Sequence, residues 1–201
     1  MWIVIDTNIF FDNFRLKKSL DLLFRDIENV NFSLRIPEIV IQETLNKYKE
    51  QRQSNSDRLL WSINWLKAQT SLQFNVEIND ASLKTDFEEY ASFFRNKINE
   101  FGEVVQLPNV THQGLIDRAL QRKKPFKFKK DDEVGGFRDV LIWETILDLT
   151  NRDDFEQIAF ITNNKTDFAD GKNLHPHLLD DLIDRGIERD YNAFHYTGRI
   201  H

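Results

Sequence analysis

Apolar and polar positions along this chain follow two rhythms. "WIVI" at residues 2 to 5 is a continuous, mostly β-branched run that reads as a buried strand, with the polar "DTN" at its carboxyl end. "FSLRI" has the same character, and "QIAFIT" reads as a further buried strand ending in the turn "NNKTD". Between them the period lengthens. A helix is predicted from about 14 to 29, and Pro37 is well placed as the first helical residue of "PEIVIQETLNKYKEQ". Trp61 and Trp65 lie four apart, and Phe87, Tyr90, Ala91, Phe94, Ile98 and Phe101 recur at three-to-four spacing, which helix packing explains. "EVVQL" suggests a short strand before Pro108, followed by helices over roughly 111–121 and from Asp139 onward. A helix over 177–185 and a last strand near "NAFHY" complete the pattern.

Strands alternating with helices imply a parallel sheet covered on both faces. No repeat, low-complexity tract or interdomain linker interrupts the order. With 201 residues, 40% of them hydrophobic, the chain suits one full-sized domain.

Charge changes the picture little. Thirty-three acids against 27 Lys and Arg leave a formal net charge of -6, so any attraction for nucleic acid must be local. The absence of Cys excludes disulfides and thiolate metal sites and suits a reducing compartment. The opening apolar run is broken by Asp6 too soon for a signal-peptide core, and no later run approaches a membrane span. The expectation is a soluble cytoplasmic protein without membrane contact.

Four acids occupy unusual places. Ligands of parallel sheets bind beyond the carboxyl ends of the strands. Asp6 stands just past one such end; Asn164 and Asp167 stand just past another. Asp139 leads an apolar face made of Ile142, Trp143 and Ile146, in the first turn of its helix. Glu43 shares a helical side with Ile39 and Val40 and should point at packed structure, whereas Asp148, half a turn out of phase with Asp139, should be solvated. Each acid has a plain explanation: Asp6 as a turn cap, Asp139 as a complement to the helix dipole, Glu43 as a surface partner of Lys47, Asp167 as a loop acid. Their joint placement is harder to explain that way. Converging carboxylates repel, and a divalent cation relieves the conflict; oxygen donors without Cys favour Mg²⁺ or Mn²⁺.

At these residues the chain resembles the PIN-domain nucleases. "IVIDTN", Glu43 in the helix after the second strand, "GFRDVLIWE" around Asp139 and "FITNNKTDF" arrive in the family's order. Pro125 and Phe126, shortly before Gly-Phe-Arg-Asp, resemble one larger subgroup with added helices. The resemblance implies a single three-layer α/β/α sandwich over residues 1–201 with a central, mainly parallel sheet and a helical insertion at about 54–122. It also implies a metal-dependent endoribonuclease with Mg²⁺ or Mn²⁺ as cofactor and Asp6, Glu43 and Asp139 as direct or water-mediated ligands. Many members carry an acid where Asn164 stands, which leaves Asp167 to supply charge there. Thr7, Asn8 and Thr162 match polar family positions and are assigned supporting hydrogen bonds. The other reading is a noncatalytic PIN-like module that binds RNA or protein.

"RKKPFKFKK" concentrates six cations in nine residues, interleaved with Phe126 and Phe128. Arg122, Lys123, Lys124, Lys127, Lys129 and Lys130 suit phosphates, and an aromatic such as Phe126 suits an unpaired base, so single-stranded RNA is the expected substrate, with DNA the alternative. The competing explanation is a charged loop whose Phe side chains anchor in the core. Arg138 suits either a phosphate or a neighbouring acid. Toxin modules, phage defence and RNA processing all use this fold, so a protein antitoxin or regulator is an expected partner. Trp61 and Trp65 offer self-association as a homodimer if they are not packed.

Overall fold

A computed structural model describes residues 1–11, 13–17, 19–71, 73–74, 76, 78–128, 134–155 and 157–187, and the backbone of 194–197. The elements in chain order are β1 (Trp2–Ile5), α1 (Ser19–Asn29), β2 (Ser33–Pro37), α2 (Glu38–Gln69), α3 (Asp80–Phe101), β3 (Gly102–Val105), α4 (His112–Leu120), β4 (Lys127–Phe128), β5 (Val134–Gly135), α5 (Phe137–Leu149), β6 (Ile158–Ile161), α6 (Lys165–Phe168), β7 (Ala169–Asp170), β8 (Asn173–Leu174), α7 (Pro176–Asp184) and β9 (Phe194–Thr197).

The central sheet has the order β3-β2-β1-β6-β9, and its pairs are parallel. β1 and β6 are buried at every position, which is why both read as unbroken apolar runs. From β1 the chain builds outward through β2 to β3, then returns to lay β6 on the opposite side of β1. The switch point therefore falls between β1 and β6. Helices flank the sheet, giving a three-layer α/β/α arrangement. β4 pairs with β5, and β7 with β8, as separate short antiparallel ribbons.

Several boundaries differ from expectation, each for a local reason. α1 begins at Ser19 rather than near 14, because Leu16 adopts φ 52° and the Asn13 side chain accepts from the Lys17 N–H, tying the intervening residues into a turn. Pro37 ends β2 and caps α2 instead of opening the helix. α2 continues to Gln69, far beyond the patterned stretch. Its second half carries little core, Ile63 being its one buried hydrophobic residue after Tyr48. Trp61 and Trp65 are 69% and 53% exposed, so core packing does not explain them. The α3 pattern, by contrast, is a core pattern. Tyr90, Phe94 and Ile98 are fully buried, and Phe10 meets Phe94 edge-on at 5.2 Å. No helix is long and apolar enough to cross a membrane among the described residues.

Candidate active site

The register of the two central strands builds the site. Ile5 pairs with Ile161, and the Asp6 N–H donates to the Ile161 carbonyl at 2.9 Å, so Asp6 and Thr162 leave the sheet side by side. Thr162 then donates its hydroxyl to Asp6 Oδ2. Asn8, in the 3-10 turn after β1, donates to the same oxygen at 2.5 Å and to Thr162 Oγ1 at 3.2 Å, while its side-chain Oδ1 accepts from the Asn163 N–H at 2.9 Å. Asp6 is 3% exposed and its side chain caps no helix N–H, which removes the turn-cap explanation.

α2 leaves the end of β2 and packs against α5, bringing Glu43 and Asp139 into the same region. Thr7 fixes Glu43 by donating to Oε2 at 2.9 Å, and Arg138 pairs with Glu43 Oε1. The expected Lys47 partner is instead bound to Glu50 at 2.7 Å. Asp139 sits in the first turn of α5, 15% exposed at its side chain. The helix is started by Gly136 at φ 88°, where a Cβ would stand 2.9 Å from the Pro125 carbonyl oxygen. Asn164 donates to Asp139 Oδ2 at 3.4 Å, and Asp167, in the short helix α6, is 1% exposed. Asp148 is solvated as expected, 46% exposed.

The acids feel one another. Burial is the main force pushing the Asp6 carboxyl from 3.8 up to about 7; the Thr162 hydrogen bond opposes it, and the charges of Asp139 and Glu43 add to it. Burial also raises Asp139, against the bond and charge of Lys127, with Asp167 and Glu43 raising it further.

Several predicted substrate contacts face inward. Lys124 Nζ lies 3.1 Å from Asp167 Oδ1. Lys127 Nζ lies 3.0 Å from Asp139 Oδ2 and 2.9 Å from Asp167 Oδ2, the latter an ion-pair contact rather than an aligned hydrogen bond. Phe126 is fully buried and packs edge-on against Phe137 at 5.0 Å, so it cannot stack on a base; the core-anchor explanation holds for it. Arg122 is exposed, its guanidinium 5.5 Å from the centre of the Phe128 ring. Lys123 is 4.0 Å from Asp181. Lys129 and Lys130 lie outside the described residues.

A buried polar network behind this stretch escaped sequence reasoning. Arg118, 8% exposed, meets Asp181 at 2.6 Å and Glu144 at 3.4 Å, and its Nε donates to the Lys124 carbonyl at 3.0 Å. Trp143 Nε1 donates to the same Asp181 at 2.8 Å. Nothing in the spacing of Arg118, Glu144 and Asp181 marks them as partners.

A hard divalent cation suits the donors present. They are oxygens, Asp6 and Asp167 are nearly sealed from water, and among the described residues no cation pairs with Asp6. As placed, no three described acidic or His side chains form a ready-made cage; Lys127 bridges two of the acids instead.

A family model described as PIN domain matches residues 3–168. Comparisons with curated proteins and with solved structures returned no match. The parallel sheet, the acids gathered at its β1/β6 switch point and a match that covers most of the chain agree: this protein belongs to the PIN-domain family, whose fold is of the nuclease type.

Proposed function

We propose that the protein is a Mg²⁺- or Mn²⁺-dependent endoribonuclease that hydrolyses phosphodiester bonds of single-stranded RNA. The observation that carries this reading is the gathering of Asp6, Glu43, Asp139 and Asp167 at the switch point of a parallel sheet, with Asp6 desolvated and repelled by its neighbours. Those four acids would hold the metal, with Asn164 as an added oxygen donor. A bound divalent ion supplies Lewis-acid charge toward a phosphate and lowers the pKa of an attacking water.

The chain's own residues do the positioning. Thr162 and Asn8 fix the Asp6 carboxylate from the β6 and β1 sides, and Thr7 fixes Glu43. Preset acceptors need no reorganisation when charge arrives. Arg122 and Lys123, on the same cationic stretch as Lys124, would offer phosphate contacts.

Purified protein is expected to cut labelled single-stranded RNA with Mg²⁺ or Mn²⁺, leaving 5′-phosphate and 3′-hydroxyl ends, and to stop on addition of chelator. Asp139→Asn should reduce the rate by at least about a hundredfold, as loss of one preorganised charged group does elsewhere. Undiminished cleavage in chelator would refute the reading.

One observation favours a noncatalytic RNA- or protein-binding module: Lys124, Lys127 and Arg138 already neutralise three of the four acids. RNA binding indifferent to metal and to Asp6→Asn, with no cleavage, would select that reading.

A further inference from the structure

Two lysines of the cationic stretch reach the acids, and they are held very differently. The backbone of Lys124 is clamped on both sides. Its carbonyl accepts from Arg118, and its N–H donates to His177 Nδ1 at 3.1 Å. Arg118 is itself buried and fixed by Asp181 and Glu144. The Lys124 side chain, 24% exposed, therefore starts from a rigid base and ends on one oxygen, Asp167 Oδ1.

Lys127 is held more lightly, through the pairing of its backbone with Gly135. Its side chain is 48% exposed and rises from the two-residue strand β4, whose only described ladder is to the equally short β5. Its ammonium nevertheless takes the central place. It stands within 3.0 Å of Asp139 Oδ2 and within 2.9 Å of Asp167 Oδ2, bridging acids from two different helices. Burial works against that charge, yet the contacts with Asp167 and Asp139 hold the Lys127 ammonium above its ordinary pKa. It is a compact single charge on a flexible four-carbon stem.

We propose that Lys127 is a tethered counter-cation for the Asp139–Asp167 pair, and that a divalent ion enters this pair by displacing it while Lys124 stays in place. This deepens the metal-dependent reading and rests on it. A divalent ion held by Asp139 and Asp167 would compete with the Lys127 ammonium for their carboxylates and would repel it at that range. The asymmetry follows from the anchoring: a partly exposed ion pair is weak, so Lys127 can leave, whereas Lys124 is tied through its backbone. The consequence is an Asp139–Asp167 pair that is neutralised without metal, at the expense of metal affinity.

The test pairs lysine acylation footprinting of the whole protein, read by mass spectrometry with and without MgCl₂, with calorimetric titration of Mg²⁺. Labelling of Lys127 should rise severalfold at saturating Mg²⁺ while that of Lys124 stays constant. Lys127→Met should bind Mg²⁺ about tenfold more tightly, the scale set by losing a competing ion pair with two acid contacts. Mg²⁺ binding to Lys127→Met but not to the unmodified chain would be the same effect in stronger form. Binding to the unmodified chain without a rise in Lys127 labelling overturns the displacement, as does an unchanged affinity in Lys127→Met. A labelling rise that persists in Asp6→Asn after that variant has lost Mg²⁺ binding marks a salt effect and also overturns it. Mg²⁺ binding to neither protein removes the metal-dependent reading itself, and this inference with it.

Discussion

Asp6→Asn is expected to abolish cleavage and stabilise the fold at once. On activity, removing the most buried acid beside β1 should lower the rate by about a thousandfold, the upper range for loss of one preorganised electrostatic group. On stability, the direction follows from protonation. The Asp6 carboxyl is raised to about 7 in the folded protein, chiefly by burial, against 3.8 as its ordinary value. Between those pH values the folded state binds more protons than the unfolded chain, so stability falls as pH rises from about 4 to about 7 and stays low above. The full shift corresponds to roughly 4 kcal/mol in order of magnitude, an upper bound on what a neutral Asn recovers in metal-free protein at pH 8. Denaturant melts in chelator at pH 4 and pH 8 measure it. The two proteins should converge at pH 4, with the variant the more stable at pH 8. A variant less stable than the parent at pH 8 would show that Asp6 is not under electrostatic stress.

Arg118→Met should be the most damaging substitution away from the acids. It would leave Asp181 and Glu144 in surroundings where their side chains are 10% and 15% exposed, and would free the Lys124 carbonyl. Burial already raises the Glu144 carboxyl, and Arg118 is the leading force opposing that rise. Breaking a buried pair by removing one partner typically costs about 3–5 kcal/mol. For a domain of this size that is roughly a 10 °C drop in thermal midpoint. Arg185, 3.6 Å from Glu144, and Lys123 compensate only in part. A midpoint lowered by less than about 2 °C would mean the network is dispensable.

How much of this was legible in the sequence depends on whether the cause is local. β1 and β6 declare themselves because strands buried on both faces must be apolar at every position. Asp6 and Asp167 stand out because each follows such a strand and Asp139 because it leads an apolar helix face, whereas Thr7, Asn8 and Thr162 were legible through the family resemblance. Glu43 pointed inward as its neighbours Ile39 and Val40 required, but its cation could not be read. Lys47 is one turn away in sequence, whereas Arg138, 95 residues away, is the partner the fold delivers. The inward turn of Lys124 and Lys127 was invisible for the same reason: Lys124 is placed by how α4, α5 and α7 meet around Arg118, and Lys127 reaches acids on α5 and α6 that nothing in the sequence marks as its partners. Trp61 and Trp65 misled because helical spacing states which residues share a face, not whether anything covers it. Phe126 and the lysines around it look alike in composition, and only packing separates the core anchor from the cations.

The central claim is that residues 6, 43, 139 and 167 form one cation-binding cup. It is tested most directly by anomalous diffraction from crystals soaked in Mn²⁺. A peak bonded to the Asp6 and Asp139 carboxylates, with the Lys127 ammonium moved off Asp139, is the expected result. Full-occupancy Mn²⁺ bound elsewhere, or no peak at all with Lys127 still bridging Asp139 and Asp167, would contradict it.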